Sequence, residues 1–583
     1  MATHSPNVIA NSLISCRLNI PDKDYVIFGE RRINWEQMMS RVMKLSQALV
    51  KLGVKRGDKV SFMLHNTPEF FEVNHAIQIA GGVPTPMNYR YVASEVAYQG
   101  TQSDSVMLIY DDIWAESVEA AMPNIPNIKH YICKGKCELP DVIDYEELIQ
   151  SGVDEDPAVA NDLDDLAVMI YTGGTTGYPK GVMLSYKAHI EMYSVFLANY
   201  LIRTLTLDVP KKRHKLLLEL LPLPAKRILG PLYRSNTFKN FLKRESTDAL
   251  LYKVFYKRFA DPDEAKKGYK NKMINMYPSM PFFHDASYSN VFLGELVGNI
   301  TYVLPDSVAF DPKKILELAE REQVTGISNV PTGWRKLLAY PDFDKYNLDS
   351  VRLATSGGGP ASTDLKKQII TRIPKATLLD VFGQTEMTPI TSFRLDVDAE
   401  KVTDRSVGKS IVEIKIVDDQ GKEVPQGESG EICYRSVTMM KGYYKDEEKT
   451  REAIEGGWFK SGDLGYLDEN DEIRTIDRKK ECINTGGEKV YPIEVEDIIQ
   501  THPEIDFACV IGVPSEEWGN TVRAVVQLAK NSQLEESAIT EFCEGKLAGY
   551  KIPRSVVFVE ELPFSPAGKL LRQKVREEYG QAT

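Results

Sequence analysis

A glycine- and threonine-rich loop is the stretch of the sequence best suited to bind phosphate. The apolar run 166–170 predicts a buried strand, and the chain continues as Tyr-Thr-Gly-Gly-Thr-Thr-Gly-Tyr-Pro-Lys-Gly over 171–181. Glycines let backbone N–H groups approach an anion, while threonine hydroxyls and Lys180 add donors and a positive charge. The glycine spacing, and Gly181 directly after the lysine, differ from a Walker A loop. We therefore predict phosphate binding rather than the alternative, a flexible connection from strand to helix. The predicted ligands are Thr172, Gly173, Gly174, Thr175, Thr176, Gly177 and Lys180.

Four further short motifs follow in a fixed order. They are Ser-Gly-Gly-Gly-Pro at 356–360, Phe-Gly-Gln-Thr-Glu at 382–386, Gly-Trp-Phe-Lys-Ser-Gly-Asp at 457–463 and Pro-Ala-Gly-Lys at 566–569. Together with the loop, this ordered set resembles the signature motifs of the adenylate-forming superfamily, which contains acyl-CoA synthetases, luciferases and the adenylation domains of peptide synthetases. The resemblance spans 171–569, which is most of the chain.

The resemblance implies an AMP-forming acid–thiol ligase that joins a carboxylic acid to coenzyme A through an acyl-adenylate, in either direction. The chemistry fits, because a carboxylate with a pKa near ~4 is already ionised and is its own nucleophile. The obstacle is the approach of an anion to a polyanionic triphosphate, so catalysis must come from positioning and charge neutralisation. By resemblance, Glu386 organises Mg²⁺ on the phosphates of ATP and Thr385 lies beside it. Oxygen ligands suit that ion.

The resemblance also assigns the nucleotide site. Asp463 is expected to accept hydrogen bonds from the ribose hydroxyls, and Arg478 to contact the ribose or the α-phosphate. Phe382 occupies the position of the family's usual adenine-stacking tyrosine, so the ring face is kept and a hydroxyl is lost. Gly174 stands where many members carry serine. The remaining predicted nucleotide residues are Gly357, Gly358, Gly359, Asp380, Val381, Gly383 and Gln384.

A mobile C-terminal domain is the next implication. Lys569 is expected to enter the active site for adenylation and to place its charge near the α-phosphate and the substrate carboxylate. Lys480 matches the family's hinge residue, about which this domain rotates between two poses. In the second pose, Gly486 and Gly487 would line the channel for the pantetheine arm of CoA.

The acyl pocket is the least specified part of the site. His284 resembles the gate between this pocket and the pantetheine channel, and Asp285, Asn329, Gly357 and Met387 are further predicted pocket residues. We expect a medium-sized, alicyclic or aromatic acid rather than acetate. The alternative is amino-acid activation, because peptide-synthetase domains use an aspartate at the position of Asp285 to hold an α-amino group. A non-catalytic protein of this fold is disfavoured by the combined presence of the motif residues.

The order of elements indicates an α/β fold. A helical pattern at 36–53 lies before strand-like runs at 60–64 and 106–110, and further α/β units follow at 298–303 and 313–340. This order predicts layered α/β units, followed after about residue 405 by a small β-rich section. Strands at 507–512 and 521–528 and a helix at 535–547 predict a compact α+β unit. We place the domains at 1–479, which binds AMP and the acyl group, and at 480–583.

Composition excludes several classes of protein. The chain has 583 residues, 43% hydrophobic and 26% charged, with a net charge of −12. An acidic chain of this kind is not expected to bind nucleic acid. No secretory signal or run of about 20 apolar residues is visible, and the seven scattered cysteines indicate reduced thiols. A cytoplasmic location follows as an expectation, and the oligomeric state stays open.

One basic segment departs from this acidic background. Residues 201–272 hold 18 Lys+Arg against 7 Asp+Glu, a net charge of +11. A helix beginning at Thr247 is predicted, with the stripe Leu250, Leu251, Val254, Phe255 and Phe259 flanked by lysines. Two interpretations are weighed: the stripe packs on the main domain, or the insert gives weak peripheral contact with an anionic membrane. Attraction of the phosphates of CoA is a third use.

Overall fold

The computed structural model describes residues 5–137, 139–172, 179–207, 236–242, 244–260, 274–403, 405–515, 517–530, 532–566 and 568–581. Its α-helices, numbered along the chain, are α1 (Val8–Asn19), α2 (Trp35–Lys51), α3 (Pro68–Ile79), α4 (Ala93–Gln102), α5 (Ala115–Ala121), α6 (Tyr145–Ser151), α7 (Tyr186–Thr206), α8 (Asn236–Leu242), α9 (Glu245–Ala260), α10 (Asp285–Val297), α11 (Pro312–Arg321), α12 (Pro331–Leu338), α13 (Thr363–Arg372), α14 (Glu447–Ala453), α15 (Pro492–Ile499), α16 (Glu536–Cys543) and α17 (Arg572–Tyr579). Within these described segments, no helix combines the length and apolar character required to cross a membrane.

The strands alternate with these helices through the first two-thirds of the chain. They are β1 (Asp24–Phe28), β2 (Arg31–Asn34), β3 (Lys59–Met63), β4 (Val83–Pro86), β5 (Ser105–Asp111), β6 (His130–Lys134), β7 (Val142–Asp144), β8 (Leu166–Thr172), β9 (Lys180–Ser185), β10 (Ile274–Pro278), β11 (Ile300–Leu304), β12 (Gly326–Asn329), β13 (Leu353–Ser356), β14 (Thr377–Phe382), β15 (Ser392–Asp396), β16 (Ser406–Ser410), β17 (Glu413–Val417), β18 (Gly430–Arg435), β19 (Ile454–Glu455), β20 (Trp458–Leu467), β21 (Glu472–Arg478), β22 (Ile483–Thr485), β23 (Glu488–Val490), β24 (Ile505–Ser515), β25 (Gly519–Leu528) and β26 (Ser555–Val559).

The predicted helix at 36–53 is α2, and its ends have local causes. The Asn34 side chain accepts from the backbone N–H of Gln37, and the Gln37 side chain accepts from the N–H of Asn34, which forms a capping box. The helix ends just before Gly53, whose φ of +99° is a left-handed conformation that glycine adopts without strain. The predicted strands at 60–64 and 106–110 are β3 and β5.

The main sheet has a parallel half and an antiparallel half. Strands β1, β11, β10, β12, β13 and β14 lie side by side in parallel. Strands β15, β16, β21, β20, β18 and β17 continue the sheet with antiparallel pairs, which is the predicted β-rich section. Since β12, β13 and β14 are adjacent and parallel, their C-terminal ends meet at one edge, the usual location of a ligand site in such sheets.

A second sheet and a hairpin complete the large domain. Strands β4, β3, β5, β6 and β7 are parallel, and β8 pairs with β9 in an antiparallel hairpin that encloses the predicted phosphate loop. A single large hydrophobic core joins α1, α2, α3, α7 and α10, with Trp35 and Tyr302 fully buried in it. The predicted layered α/β architecture is confirmed.

The C-terminal unit is a three-stranded sheet with helices on both faces. Ala508 and Val510 of β24 pack with α15 and α16, whereas the alternate residues Cys509 and Ile511 pack with Val575 of α17. The predicted helix at 535–547 is α16, which ends at Cys543. The boundary after Lys479 stays a prediction. It falls inside the short helical turn Lys479–Glu481, which follows the last strand of the main sheet.

The basic insert is described in part. Its helix α9 begins at Glu245 and packs against α7, with Phe255 and Phe259 buried in the main core. The predicted apolar stripe is therefore divided: these two residues face the core, but Leu250 and Val254 are 57% and 50% exposed. The rest of the insert, at 208–235 and 261–273, lies outside the described residues.

Candidate active site

A cavity of about 1120 Å³ lies between the main sheet and the C-terminal unit. It opens at the C-terminal ends of β12, β13 and β14, where the fold predicts a ligand. Most of the predicted site residues in the described ranges line it together. They are Thr172, His284, Gly357, Gly358, Gly359, Val381, Phe382, Gly383, Gln384, Thr385, Glu386, Arg478, Lys480 and Lys569.

The β8–β9 hairpin, where phosphate binding is predicted, reaches the cavity through Thr172, whereas Lys180 does not line it. Thr172 ends β8 and Lys180 begins β9, and the two residues are opposite each other in the antiparallel register. The Lys180 ammonium lies 4.5 Å from the centre of the Tyr443 ring. Gly173, Gly174, Thr175, Thr176 and Gly177 lie outside the described residues, so their phosphate contacts stay predictions.

Glu386 lies in a short helical turn, Thr385–Met387, that follows β14. Thr385 is buried, and the Tyr443 hydroxyl donates a hydrogen bond to Oε1 of Glu386 at 2.8 Å. Within the part of the chain that the structure describes, no three acidic, histidine or cysteine side chains converge on one point. The single carboxylate of Glu386 fits Mg²⁺, which is usually held by one or two carboxylates together with substrate phosphates. Glu386 and Thr385 would hold the ion on ATP, where it neutralises phosphate charge.

The glycine turn after β13 allows a close approach to the catalytic centre. Gly358 has φ +76°, and a Cβ added there would lie 4.0 Å from the Lys569 side chain. A Cβ at Gly357 would lie 2.4 Å from Val381. Any side chain at Gly357 would therefore clash with the β14 wall, and one at Gly358 would be strained and would face the lysine.

Asp463 and Arg478 form an ion pair next to the cavity. They are opposite each other on β20 and β21, and Arg478 Nε lies 2.7 Å from Asp463 Oδ1. Burial raises the pKa of the Asp463 carboxyl, although the Arg478 charge lowers it. The arginine lines the cavity, whereas the buried aspartate lies behind it.

Lys569 reaches into the cavity from a tight turn of the C-terminal unit. Ser565 closes this turn, since its Oγ accepts from the Lys569 N–H at 3.0 Å and its N–H donates to the Lys569 carbonyl at 2.7 Å. Thr332 of the large domain donates to the Gly568 carbonyl at 3.0 Å. Burial, followed by the positive charge of Arg478, lowers the pKa of Lys569, while Glu386 raises it. Lys569 therefore lines the same cavity as Glu386 and Arg478, and its role in adenylation stays a prediction.

His284 caps the first turn of α10 at the cavity wall. Its Nδ1 accepts from the Ala286 N–H at 3.3 Å. Burial, with the nearby charge of Lys569, lowers the pKa of His284 to about 3, so the imidazole is neutral at physiological pH. A neutral ring in the wall fits a gate rather than a charged catalyst.

Four predicted positions lie elsewhere than expected. The Asp380 carboxylate points away from the cavity and pairs with Lys366 at 2.5 Å, because neighbouring strand residues face opposite sides. Asn329 is a buried structural residue whose Oδ1 accepts from the Val330 N–H at 3.0 Å. Met387 is fully buried in the main core. Asp285 is fully buried behind His284 and does not line the cavity.

The predicted CoA-binding glycines lie on the surface in this arrangement. Gly486 and Gly487 form the exposed tip of the β22–β23 hairpin, with φ of +58° and +90°. A Cβ at Gly486 would lie 2.7 Å from the Trp518 ring. Neither glycine lines the cavity that contains Lys569.

Family models match most of the chain. Residues 18–218 and 252–444 match the AMP-binding enzyme model, and residues 494–569 match the model of the AMP-binding enzyme C-terminal domain. The chain belongs to the AMP-binding enzyme family. The predicted resemblance to adenylate-forming enzymes is confirmed.

Three similar proteins illustrate the relationship of this AMP-binding enzyme to other members of its family. It is 29% identical to a feruloyl-CoA synthase of an Amycolatopsis species over 563 residues, 96% of each chain. It is 30% identical to 4-coumarate–CoA ligase 1 of Solanum tuberosum, over 91% of this chain and 86% of the relative. The fold matches the crystal structure of an anthranilate CoA ligase in complex with anthranoyl-AMP, with TM-score 0.80, 22% identity and coverage of 98% and 97%.

The activity of this AMP-binding enzyme is that of an AMP-forming carboxylate–CoA ligase, with ATP and CoA as its other substrates. Activation of an amino acid is not favoured, since the similar proteins are CoA synthetases and CoA ligases. Three residues that contact cavity residues were not predicted from sequence: Tyr443 bonds to Glu386, Thr332 to Gly568 and Arg405 to Asp497. Each partner is distant in the chain, and no local motif marks these residues.

Proposed function

We propose that the carboxylic acid activated by this ligase is bulky, hydrophobic and ring-containing, of the aromatic or alicyclic class. The observation that carries this proposal is the part of the cavity, here called the arm, that is lined by α7, α10 and strands of the main sheet. Helix α7 contributes an aromatic wall and helix α10 an aliphatic one. The wall residues are Tyr193, Phe196, Leu197 and Tyr200 on α7 and Leu293 on α10.

The size and the apolar lining of this arm disfavour the smallest acids as substrates. Strands of the main sheet close it with Ile274, Met276 and Ile300. Apolar surface buried by a ligand stabilises binding by about 25 cal/mol per Å², so an acetyl group would leave most of this wall uncovered. Aromatic side chains also favour planar rings through offset or edge-to-face contacts.

Two polar residues on helix α10 can orient a substrate in the arm. Ser289 and Asn290 of α10 line the cavity beside Leu293. Their hydroxyl and amide groups can hydrogen-bond to a hydroxyl or oxo substituent on a ring. Such a substituent would orient the acid with its carboxylate toward Lys569 and Gly358. The CoA-ligase relatives named after ferulate and coumarate support this assignment by analogy.

Pyrophosphate exchange across short, long-chain, alicyclic and aromatic acids tests this assignment. We expect the highest kcat/KM for ring-containing acids and the lowest for acetate. The variant Leu197→Trp should narrow the arm and lower activity toward ring acids by about tenfold, because even one surplus methylene is poorly tolerated in a packed site. The exposed-surface variant Val437→Trp is the matched control. Equal rates with acetate and ring acids would contradict the proposal.

The roles of the site residues follow the predicted sequence of two half-reactions. Lys180, Lys569 and Arg478 neutralise phosphate and carboxylate charge during adenylation. After pyrophosphate leaves, rotation at Lys480 withdraws Lys569 and brings Gly486 and Gly487 to the channel for pantetheine. Lys569 lines the cavity and both glycines lie outside it, which supports the first of these two arrangements.

We also infer that the basic insert makes peripheral contact with anionic lipid. Phe241, Leu250 and Val254 are 43%, 57% and 50% exposed on α8 and α9, and Lys253 is exposed between the last two. A helix that buries Phe255 and Phe259 yet keeps a second apolar face outward can insert that face at a membrane surface. The net charge of +11 over 201–272 favours an anionic partner.

Sedimentation with vesicles tests the lipid contact. Binding should need anionic lipid, decrease with salt, and weaken in the double variant Leu250→Gln/Val254→Gln. Both residues are exposed, so the fold should tolerate the change. Val437→Gln, 60% exposed on another surface, is the control. Equal binding by both variants, or none by the unaltered protein, would reject the contact.

A further inference from the structure

Tyr443 lies between two predicted phosphate-site residues that are far apart in the sequence. Its backbone belongs to a short segment that pairs with β9, the strand that leaves the phosphate loop. Tyr444 N–H donates to the Gly181 carbonyl at 2.8 Å, and Lys441 N–H donates to the Met183 carbonyl at 2.9 Å. The position of Tyr443 is therefore fixed relative to Lys180.

The side chain of Tyr443 reaches the second of these residues. Its hydroxyl donates to Oε1 of Glu386 at 2.8 Å, while its ring lies 4.5 Å beneath the Lys180 ammonium. The Glu386 carbonyl accepts from the Met440 N–H at 2.8 Å, so backbone and side chain of the glutamate are held by the same segment. Tyr443 is only 8% exposed, and water competes little for either contact.

The phenol remains a donor across the physiological range. A phenol has an ordinary pKa of about 10 and is therefore protonated at neutral pH. The carboxylate accepts this hydrogen bond and keeps one oxygen oriented toward the phenol.

We propose that Tyr443 is a positioning residue for ATP and its magnesium ion: its hydroxyl orients Glu386 toward the metal and its ring orients Lys180 toward the phosphates. The inference rests on the proposed role of Glu386. Removal of a residue that orients a metal-binding carboxylate typically lowers metal affinity by about 10- to 100-fold. A cation above an aromatic face is attracted by the ring quadrupole, which here holds the Lys180 ammonium over Tyr443.

The two roles can be separated by two substitutions. Tyr443→Phe keeps the ring and removes the hydroxyl. We expect the Mg²⁺ concentration for half-maximal enhancement of ATP binding to rise about tenfold, with metal-free ATP binding changed less than about twofold. Tyr443→Leu removes both contacts and should also weaken metal-free ATP binding about two- to fivefold. Calorimetry with ATP in EDTA and in graded Mg²⁺ measures both without any acid substrate.

Two controls make the outcome specific. Tyr444→Phe removes the neighbouring hydroxyl, which donates to Asp104 at 2.8 Å outside the cavity, and should change neither quantity. In a Glu386→Gln background, Tyr443→Phe should add no further increase in the Mg²⁺ requirement, because the carboxylate that it orients is absent. Melting temperatures of all variants check that each is folded.

The possible results distinguish three failures. If Glu386→Gln leaves the Mg²⁺ requirement unchanged, the assignment of the metal to Glu386 is wrong. If Glu386→Gln raises the requirement but Tyr443→Phe does not, the role of Tyr443 alone is overturned. A loss of metal-free ATP binding in Tyr443→Phe as large as in Tyr443→Leu would overturn the separate role of the ring.

Discussion

Arg405 Nη2 lies 3.0 Å from Asp497 Oδ2, and this ion pair joins the large domain to helix α15 of the C-terminal unit. A second Arg405 nitrogen, Nη1, donates to the Ile476 carbonyl at 2.8 Å, two residues before the β21 strand ends. Arg405 has φ +51°, a left-handed conformation that is uncommon for a residue with a side chain. The pair holds the C-terminal unit in the arrangement that inserts Lys569.

We expect Arg405→Ala to shift the balance between the half-reactions. The pair is 22% and 30% exposed, and such pairs contribute about 1 kcal/mol or less. The rate of acyl-adenylate formation should therefore fall about two- to fivefold. The rate of thioester formation from supplied acyl-adenylate should stay constant or rise. Rapid-quench assays of each half-reaction measure this. Lys345→Ala, which removes a surface pair within the large domain, is the control. A parallel loss in both half-reactions would contradict the role of the pair.

Lys569→Ala should abolish adenylation and spare thioester formation. The lysine charge serves the first chemistry only, and removal of one such electrostatic contact costs about 10²- to 10³-fold. Pyrophosphate exchange and single-turnover transfer from supplied acyl-adenylate report the two steps separately. Equal losses in the two assays would show that Lys569 is not specific to adenylation.

Lys480→Pro should give the opposite result. Proline fixes φ near about −65° and restricts the backbone of the Lys479–Glu481 turn. We expect pyrophosphate exchange to survive and CoA transfer to fail, since the structure already has the adenylation arrangement. Formation of acyl-CoA at the normal rate by this variant would overturn the choice of hinge.

The pH dependence of acyl-adenylate formation should not contain a histidine limb from His284. With a pKa of about 3, this imidazole is neutral throughout pH 5 to 8, and its charge does not change there. Wild type and His284→Phe should therefore have pH profiles of the same shape, whatever their absolute rates. A limb near 6.5 in wild type that His284→Phe lacks would assign His284 as a titrating base instead of a wall residue.

The Lys366–Asp380 pair should matter for stability more than for nucleotide binding. Both side chains are buried and 2.5 Å apart. Lys366→Met leaves a buried unpaired carboxylate, which typically destabilises a protein by about 3–5 kcal/mol, and Lys366→Met/Asp380→Leu should recover most of that loss. Urea unfolding measures both effects. A double variant as unstable as the single one would contradict this.

Much of the fold followed from the sequence, because helix and strand periods reflect which residues are buried. The helix at 36–53 and the strands at 60–64 and 106–110 were predicted within two residues of α2, β3 and β5. The motif residues at 356–360 and 382–386 were predicted to meet, and 357–360 and 382–386 line one cavity.

The predictions from sequence that failed have a common physical cause. The fold, rather than the local sequence, sets the direction in which each side chain points. Asp380 and Val381 are adjacent, but alternation along β14 turns only the valine toward the cavity. Leu250 and Val254 fit a helical stripe, yet α9 packs against α7 through Phe255 and Phe259. Tyr443 lies 57 residues beyond Glu386, and only the pairing of its segment with β9 brings the two together.

The exposed hairpin tip at Gly486 and Gly487 has a consequence for steady-state kinetics. While Lys569 occupies the cavity, the surface expected to guide the thiol faces away from the acyl group. CoA that arrives before pyrophosphate departs has no productive way to react. We therefore expect a ping-pong order, with parallel double-reciprocal plots when CoA is varied at several ATP concentrations, and no thioester formed in a ternary complex of ATP, acid and CoA.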